Sequence, residues 1–155
     1  MDVYKVMKEK NIVLHNPSIP IGLYKAVQVF AEGKLLYSSG ISPTRNEEHV
    51  YLGKVGREVT LEQAQEAARF CMLNILGNIE KEIGDLNKVK RVVKTLGFVA
   101  CTDDFYDQPK VINGASQLLI DIFGEECGKG ARAAIGVNVL PCNIPVEVEA
   151  LFELY

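Results

Sequence analysis

One arginine near the carboxyl end of the chain is placed to bind a small anion. Arg132 stands at the start of a predicted strand, and its neighbours are all small: Gly130, Ala131, Ala133 and Ala134. Because these neighbours leave the guanidinium uncrowded, it can present its planar fork to a carboxylate. Glu147 and Glu149 lie on the following predicted strand, and a glutamate beside a bound acid can accept a proton or direct a water molecule. The pattern therefore predicts a site for a small acid.

Hydrophobic periodicity and turn residues predict the elements that position these side chains. In chain order they are a short helix over residues 2–10, strands over 23–31 and 34–39 joined at Glu32-Gly33, a helix from Thr60 to Gly84, a strand over 89–101, a helix from Asp107 to Gly124, and strands over 131–140 and 146–154. Residues 16–21 and 42–59 are predicted loops, and the second loop has room for a short strand near residues 49–52.

This order, β-β-α-β-α-β-β, predicts a single α+β domain over residues 1–155. Each long helix lies between two strands, and right-handed crossings place both helices on the same face of the sheet. The other face is partly apolar, and we expect it to form a contact between subunits.

The last two strands are expected to form a hairpin that turns near Asn143. In that register Glu147 lies opposite Val139, and Arg132 lies about 20 Å from that point along the strand. A small ligand cannot contact both side chains of one chain at that distance. If both belong to one site, the second residue or other ligands of the site are therefore expected to come from a neighbouring subunit.

Composition restricts the classes of function. The chain has a net charge of −3 and a pI near 5.5, so we expect no nucleic-acid partner. It has no apolar run long enough to span a membrane and no secretory signal, so a cytoplasmic protein is expected. The four cysteines are widely spaced and the two histidines are isolated, so we predict free thiols and neither a metal site nor a catalytic triad.

The sequence resembles the reactive intermediate deaminase family, also called Rid or YjgF-like, from about Ile21 to Ala150. The strongest matches are Ala131-Arg132, Leu140-Pro141 and Val146-Glu147-Val148-Glu149-Ala150, and the spacing from Arg132 to Glu147 fits the family without a gap. Weaker matches are Ile21-Gly22-Leu23-Tyr24, Ser38-Ser39-Gly40-Ile41 and Asn113.

The resemblance implies a chorismate-mutase-like fold, a homotrimer with clefts between subunits, and hydrolysis of reactive enamines and imines to 2-oxo acids and ammonia without a cofactor. By position, Arg132 would bind the substrate carboxylate and Glu147 would direct the water. The pocket would be lined by Tyr24, Ser39, Gly40, Asn113 and the backbone N–H of Ala134.

Two positions depart from the family pattern and keep an alternative open. Ala134 stands where the family often has a cysteine, and Gly130 where it commonly has proline. The alternative is a trimer that binds small carboxylates without catalysis. Other interpretations remain for single residues: Arg132 can pair with Glu153 at a strand end, and Glu147 can be a solvated strand residue. RNA cleavage, attributed to some relatives, is disfavoured by the acidic composition.

Overall fold

The computed structural model describes residues 2–14 and 22–155. The helices in these ranges are Val3–Glu9 (α1), Leu61–Ile83 (α2) and Gln108–Gly128 (α3). The strands are Val27–Phe30 (β1), Leu35–Ser38 (β2), Thr44–Arg45 (β3), Glu48–His49 (β4), Val89–Ala100 (β5), Ala131–Val137 (β6) and Val146–Leu154 (β7). The predicted α+β class is confirmed, whereas the predicted loop over 16–21 lies outside the described residues.

Five strands form one mixed sheet in the order β1-β2-β7-β5-β6. β5 pairs with β6 in parallel and with β7 in antiparallel orientation. The predicted hairpin between the last two strands is therefore wrong, because β5 lies between them. The physical reason is that α3 returns the chain for a parallel crossover beside β5, and the segment after β6 then carries the chain to the other side of β5.

Two strands are shorter than predicted. β1 begins at Val27 rather than at residue 23, because its ladder partner β2 provides only four positions for pairing. β6 ends at Val137 rather than at residue 140, ahead of a 3₁₀ turn over Pro141–Asn143 in which Cys142 has a left-handed backbone. Residues 42–59 form the predicted long connection, and β3 and β4 make a small separate hairpin inside it.

The two long helices pack on one face of the sheet and share one core with it. α2 begins with a capping box in which the Thr60 hydroxyl accepts from the Gln63 N–H, and the Gln63 amide oxygen accepts from the Thr60 N–H. This arrangement satisfies two backbone donors that a helix start would otherwise leave unpaired. α2 ends before Gly84, as predicted. α3 continues to Gly128, beyond a kink at Gly124, whose φ and ψ angles are not helical.

β7 separates the two faces of the sheet by strict alternation. Its inward side chains are fully or almost fully buried: Val146, Val148, Ala150, Phe152 and Leu154. Its outward side chains are only partly buried: Glu147, Glu149, Leu151 and Glu153. No helix covers this outward face among the described residues, and it also exposes large apolar side chains of the neighbouring strands, Phe30, Tyr37 and Ile135.

Candidate functional site

Arg132 lies on the helix-facing side of β6 and is oriented by one face of α3. Its Nη1 donates to Oδ1 of Asn113 at 2.8 Å and to Oγ of Ser116 at 3.1 Å. Asn113 and Ser116 lie three residues apart, so successive turns of the helix present them side by side. Nε and Nη2 of Arg132 donate to no described residue, which leaves part of the guanidinium fork available to a ligand.

The interpretation of Arg132 as a partner of Glu153 is wrong. The Glu153 carboxylate is instead bound by Lys90, at 2.8 Å, and by Arg91, both on β5. Those two cations lie at the opposite end of β5 from the chain segment where Glu147 pairs. Arg132 is therefore free of a described carboxylate partner.

A cavity of about 690 Å³ opens beside the Arg132 guanidinium. It lies between α3, the start of β6 and the first turns of α2, and it is lined by Gln65, Asn113, Ser116, Gln117, Lys129 and Arg132, among others. The last residues of α3 follow the kink at Gly124 and lead to Gly130, which also lines the cavity. The arrangement gives a small anion both space and an oriented cation.

Glu147 lies on the outward face of β7. The segment that follows β2 passes close to the Glu147 side chain at Gly40. A Cβ atom at Gly40 would overlap Oε1 of Glu147 and lie 2.8 Å from its Cδ. Only glycine therefore leaves room for the carboxyl in its present position. Burial, and then the negative charge of Glu149, raise the pKa of the Glu147 carboxyl above its ordinary value. Such a carboxyl holds a proton at a higher pH than a solvated glutamate.

Arg132 and Glu147 lie on opposite faces of the sheet within one chain. Arg132 pairs across the ladder with Thr95, which is buried toward the helices, whereas Glu147 pairs with Phe98, whose side chain points outward. Strand geometry places their Cα positions about 14 Å apart, two strand spacings across and three residues along. One chain therefore cannot bring both side chains to one small ligand, although the distance predicted from the hairpin was wrong.

The other predicted residues divide between these two places. Asn113 contacts Arg132, and Ala134 lies two residues further along the same face of β6. Gly40 contacts Glu147, and Ser39 anchors the neighbouring segment, because its Oγ donates to the Lys25 carbonyl at 2.6 Å. Tyr24 immediately precedes that segment and is 53% exposed.

We refer to the two places as the arginine half-site and the glutamate half-site. The arginine half-site comprises Arg132, Asn113, Ser116 and Ala134. The glutamate half-site comprises Glu147, Gly40 and Ser39, and Tyr24 is grouped with it because it precedes Lys25, which accepts from Ser39.

Sequence reasoning missed two side chains that the structure adds. Ser116 completes the orientation of Arg132, and its position three residues after Asn113 on a predicted helix was an available signal. Tyr37 donates its hydroxyl to Oε1 of Glu149 at 2.5 Å. That contact joins β2 to β7, and no sequence pattern indicated that these strands are neighbours.

Among the described residues, no group of three or more histidine, cysteine or acidic side chains could hold a metal ion. All four cysteines are free, and Cys71 and Cys101 are buried. No helix in the described ranges combines the length and the apolar character that spanning a membrane requires.

Comparison with known proteins assigns the fold to a family. The family described as "YjgF/chorismate mutase-like, putative endoribonuclease" matches residues 8–154. The chain belongs to this family. The YjgF-family match includes both half-sites, and the chorismate-mutase-like fold implied by the sequence resemblance is confirmed.

Three similar proteins illustrate the relationship. Protein TCP17 of Trypanosoma cruzi is 41% identical over 128 residues, which are 83% of this chain and 80% of that protein. The crystal structure of Atu1372 from Agrobacterium tumefaciens, a protein of unknown function, has a TM-score of 0.87 at 38% identity and covers 99% of this chain and 93% of that one. The crystal structure of a Shewanella oneidensis MR-1 protein described as a "putative endoribonuclease" has a TM-score of 0.93 at 25% identity. The match covers 99% of this chain and 100% of that one.

Proposed function

We propose that this YjgF-family protein is a cofactor-independent deaminase that hydrolyses 2-enamino and 2-imino acids to 2-oxo acids and ammonia. The observation that supports it most is the orientation of Arg132 by Asn113 and Ser116 beside an open cavity. A guanidinium held in this way recognises a substrate carboxylate with two parallel hydrogen bonds. The 2-oxo acid product carries the same carboxylate, so both ends of the reaction fit the site.

The second part of the proposal is that the active site is assembled between subunits of a homotrimer. Arg132 lies on β6, which is an edge strand of the sheet, and Glu147 lies on the uncovered outward face. A neighbouring copy that lays its outward face beside this edge would bring its Glu147 to the Arg132 of the first copy. Each seam between subunits would then contain one arginine half-site and one glutamate half-site.

The chemistry needs only positioning and one proton carrier. An imine carbon is already electrophilic, so a water molecule attacks it while Glu147 accepts a proton from that water. A C–O bond forms and the C=N electron pair moves to nitrogen, which takes up the proton that Glu147 received from the water, so that a carbinolamine forms and Glu147 is again a carboxylate. Glu147 then accepts the hydroxyl proton of the carbinolamine and passes it to the amino nitrogen as the C–N bond breaks, and ammonia leaves the 2-oxo acid.

A coupled assay tests the proposal. A pyridoxal-dependent lyase that releases 2-aminoacrylate or 2-iminobutyrate supplies the substrate, and release of the 2-oxo acid is followed with and without the protein. We expect the wild-type protein to accelerate release and Arg132→Ala to abolish the acceleration. If wild-type protein leaves the release rate unchanged, the enzymatic proposal is lost.

The alternative is a binder of small carboxylates that does not catalyse. It is favoured by Ala134, because this side chain lies beside the core where the family often has a cysteine. In that case 2-oxo acids would raise the melting temperature through Arg132 without any turnover. The family description as an endoribonuclease is tested in parallel, and we expect no RNA binding or cleavage even at low salt.

A further inference from the structure

The second carboxylate of the glutamate half-site, Glu149, has a dedicated partner that the proposed reaction does not yet use. The Tyr37 hydroxyl donates to Oε1 of Glu149 at 2.5 Å, from β2 across to β7. Tyr37 pairs directly with Leu151, so this hydrogen bond runs diagonally along the outward face toward Glu147. It holds the Glu149 carboxylate on the same side of the strand as Glu147.

Geometry brings the two glutamates close together. They are two residues apart on one strand, so both side chains point outward, with Cα atoms about 7 Å apart. Gly40 restricts Glu147 on one side, and the phenol of Tyr37 restricts Glu149 on the other. Two carboxylates fixed at such a distance influence each other, because a negative charge nearby favours the protonated form of its neighbour.

Among the residues that the structure describes, few other charges compete with this pair. In these ranges, the titratable or charged groups that face Glu147 from the packed elements are Glu149 on its own strand, Tyr37 on β2, Lys94 on β5 and, through the sheet, the buried thiol of Cys71 on α2. Lys94 pairs with Leu151, four residues along β5 from Phe98, which pairs with Glu147; that is about 13 Å away. Burial raises the pKa of the Cys71 thiol, which therefore stays neutral.

We propose that Tyr37 and Glu149 form a positioning pair, which holds a fixed negative charge beside Glu147 and so determines how readily Glu147 accepts a proton from water. The inference rests on the proposed function for its role in catalysis. Neither side chain needs to contact the substrate. Their contribution passes through Glu147, whose proton affinity must lie near the working pH for it to serve as base and then as acid.

The test measures Glu147 directly and then through activity. Full-length protein labelled with ¹³C at the glutamate carboxyls is titrated by NMR, and Glu147→Gln assigns the signal. We expect Glu149→Gln to lower the Glu147 midpoint by about one pH unit, as for a like charge near 7 Å under partial screening. Tyr37→Phe, which removes one oxygen and frees the Glu149 carboxylate, should lower it by a smaller amount.

The chain offers a matched control for each variant. Tyr51 donates its hydroxyl to Glu66 in the same kind of phenol–carboxylate pair away from the site, so Tyr51→Phe should leave the Glu147 midpoint unchanged. Glu153→Gln removes a carboxylate from the same face of β7, about 20 Å from Glu147, and should also have no effect.

The outcomes separate this inference from the proposed function. If the Glu147 midpoint is the same in Glu149→Gln as in wild type, or moves equally in Glu153→Gln, the positioning pair is refuted whether or not the protein is active. If the protein deaminates imines, the acid limb of its kcat/KM profile should move with the NMR midpoint. If the protein shows the expected NMR shift but no turnover, the charge coupling between Glu149 and Glu147 is supported. In that case only the deaminase proposal is refuted.

Discussion

Substitution of Gly40 by alanine tests whether the position of the Glu147 carboxyl matters for function. The added Cβ would lie 2.8 Å from Cδ of Glu147 and would overlap Oε1. Carbon atoms in contact prefer a separation of about 3.5–4.0 Å, so the carboxyl must withdraw by roughly 1 Å. Because the atoms that the added Cβ would approach belong to the end of the flexible Glu147 side chain, the backbone need not move.

The magnitude follows from this displacement. Moving Glu147 off its preferred rotamer costs about 0.5–1.5 kcal/mol, which for a domain of this size lowers Tm by about 1–6 °C. A misplacement of about 1 Å at a reacting group can reduce the rate about 100-fold. We therefore expect Gly40→Ala to reduce kcat by about 10- to 100-fold in the coupled 2-oxo acid assay. KM should change little, because the arginine half-site is untouched.

Gly84→Ala is the matched control. Gly84 has a φ of 78° at the end of α2, and a Cβ there would meet nothing within 4 Å. Left-handed backbone at a non-glycine residue costs roughly 1–2 kcal/mol, so this variant should lose comparable stability and keep its kcat. The reasoning is refuted if Gly40→Ala keeps wild-type kcat, or if both variants lose activity in proportion to their loss of Tm.

Three further predictions address stability and binding. Folding raises the pKa of Glu147, so its ionisation opposes folding, and the stability associated with its protonated form is lost as pH rises through the folded pKa; Glu147→Gln should raise Tm at pH 7 but not near pH 3, and equal shifts at both pH values would contradict this account. Asn113→Ala removes an acceptor that orients Arg132 and should raise KM about tenfold with kcat little changed; a fall in kcat alone would argue against an orienting role. Thr60→Ala removes the capping box and should lower the free energy of unfolding by about 1 kcal/mol in a urea titration, with unchanged activity; an unaltered midpoint would show that the cap contributes nothing.

Local structure was the part that sequence reasoning predicted well. Thr60 and Gln63 correctly predict the start of α2, because a capping box is formed by two residues only three positions apart in the chain. Alternation along β7 placed Glu147 and Glu149 on one face, because the period of a strand is two. These signals depend on residues that are neighbours in the chain, so one sequence is enough to read them.

Sheet order was the part that it could not reach. Nothing local shows that β5 separates β6 from β7, because strand neighbours depend on the crossover through α3. The predicted hairpin, which is wrong, separated Arg132 and Glu147 by a distance along the strand. In the structure the two residues are separated because they lie on opposite faces of the sheet. The diagonal contact of Tyr37 with Glu149 depends on the same sheet order and was missed for the same reason.

Complementation between two inactive variants tests most directly whether one active site needs two subunits. Arg132→Ala and Glu147→Gln are mixed, unfolded and refolded together, and native mass spectrometry checks that mixed trimers form. In a random mixture about a quarter of the seams combine an intact arginine half-site with an intact glutamate half-site, so the account predicts recovery of about a quarter of wild-type activity. Mixed trimers that remain as inactive as either parent would contradict it.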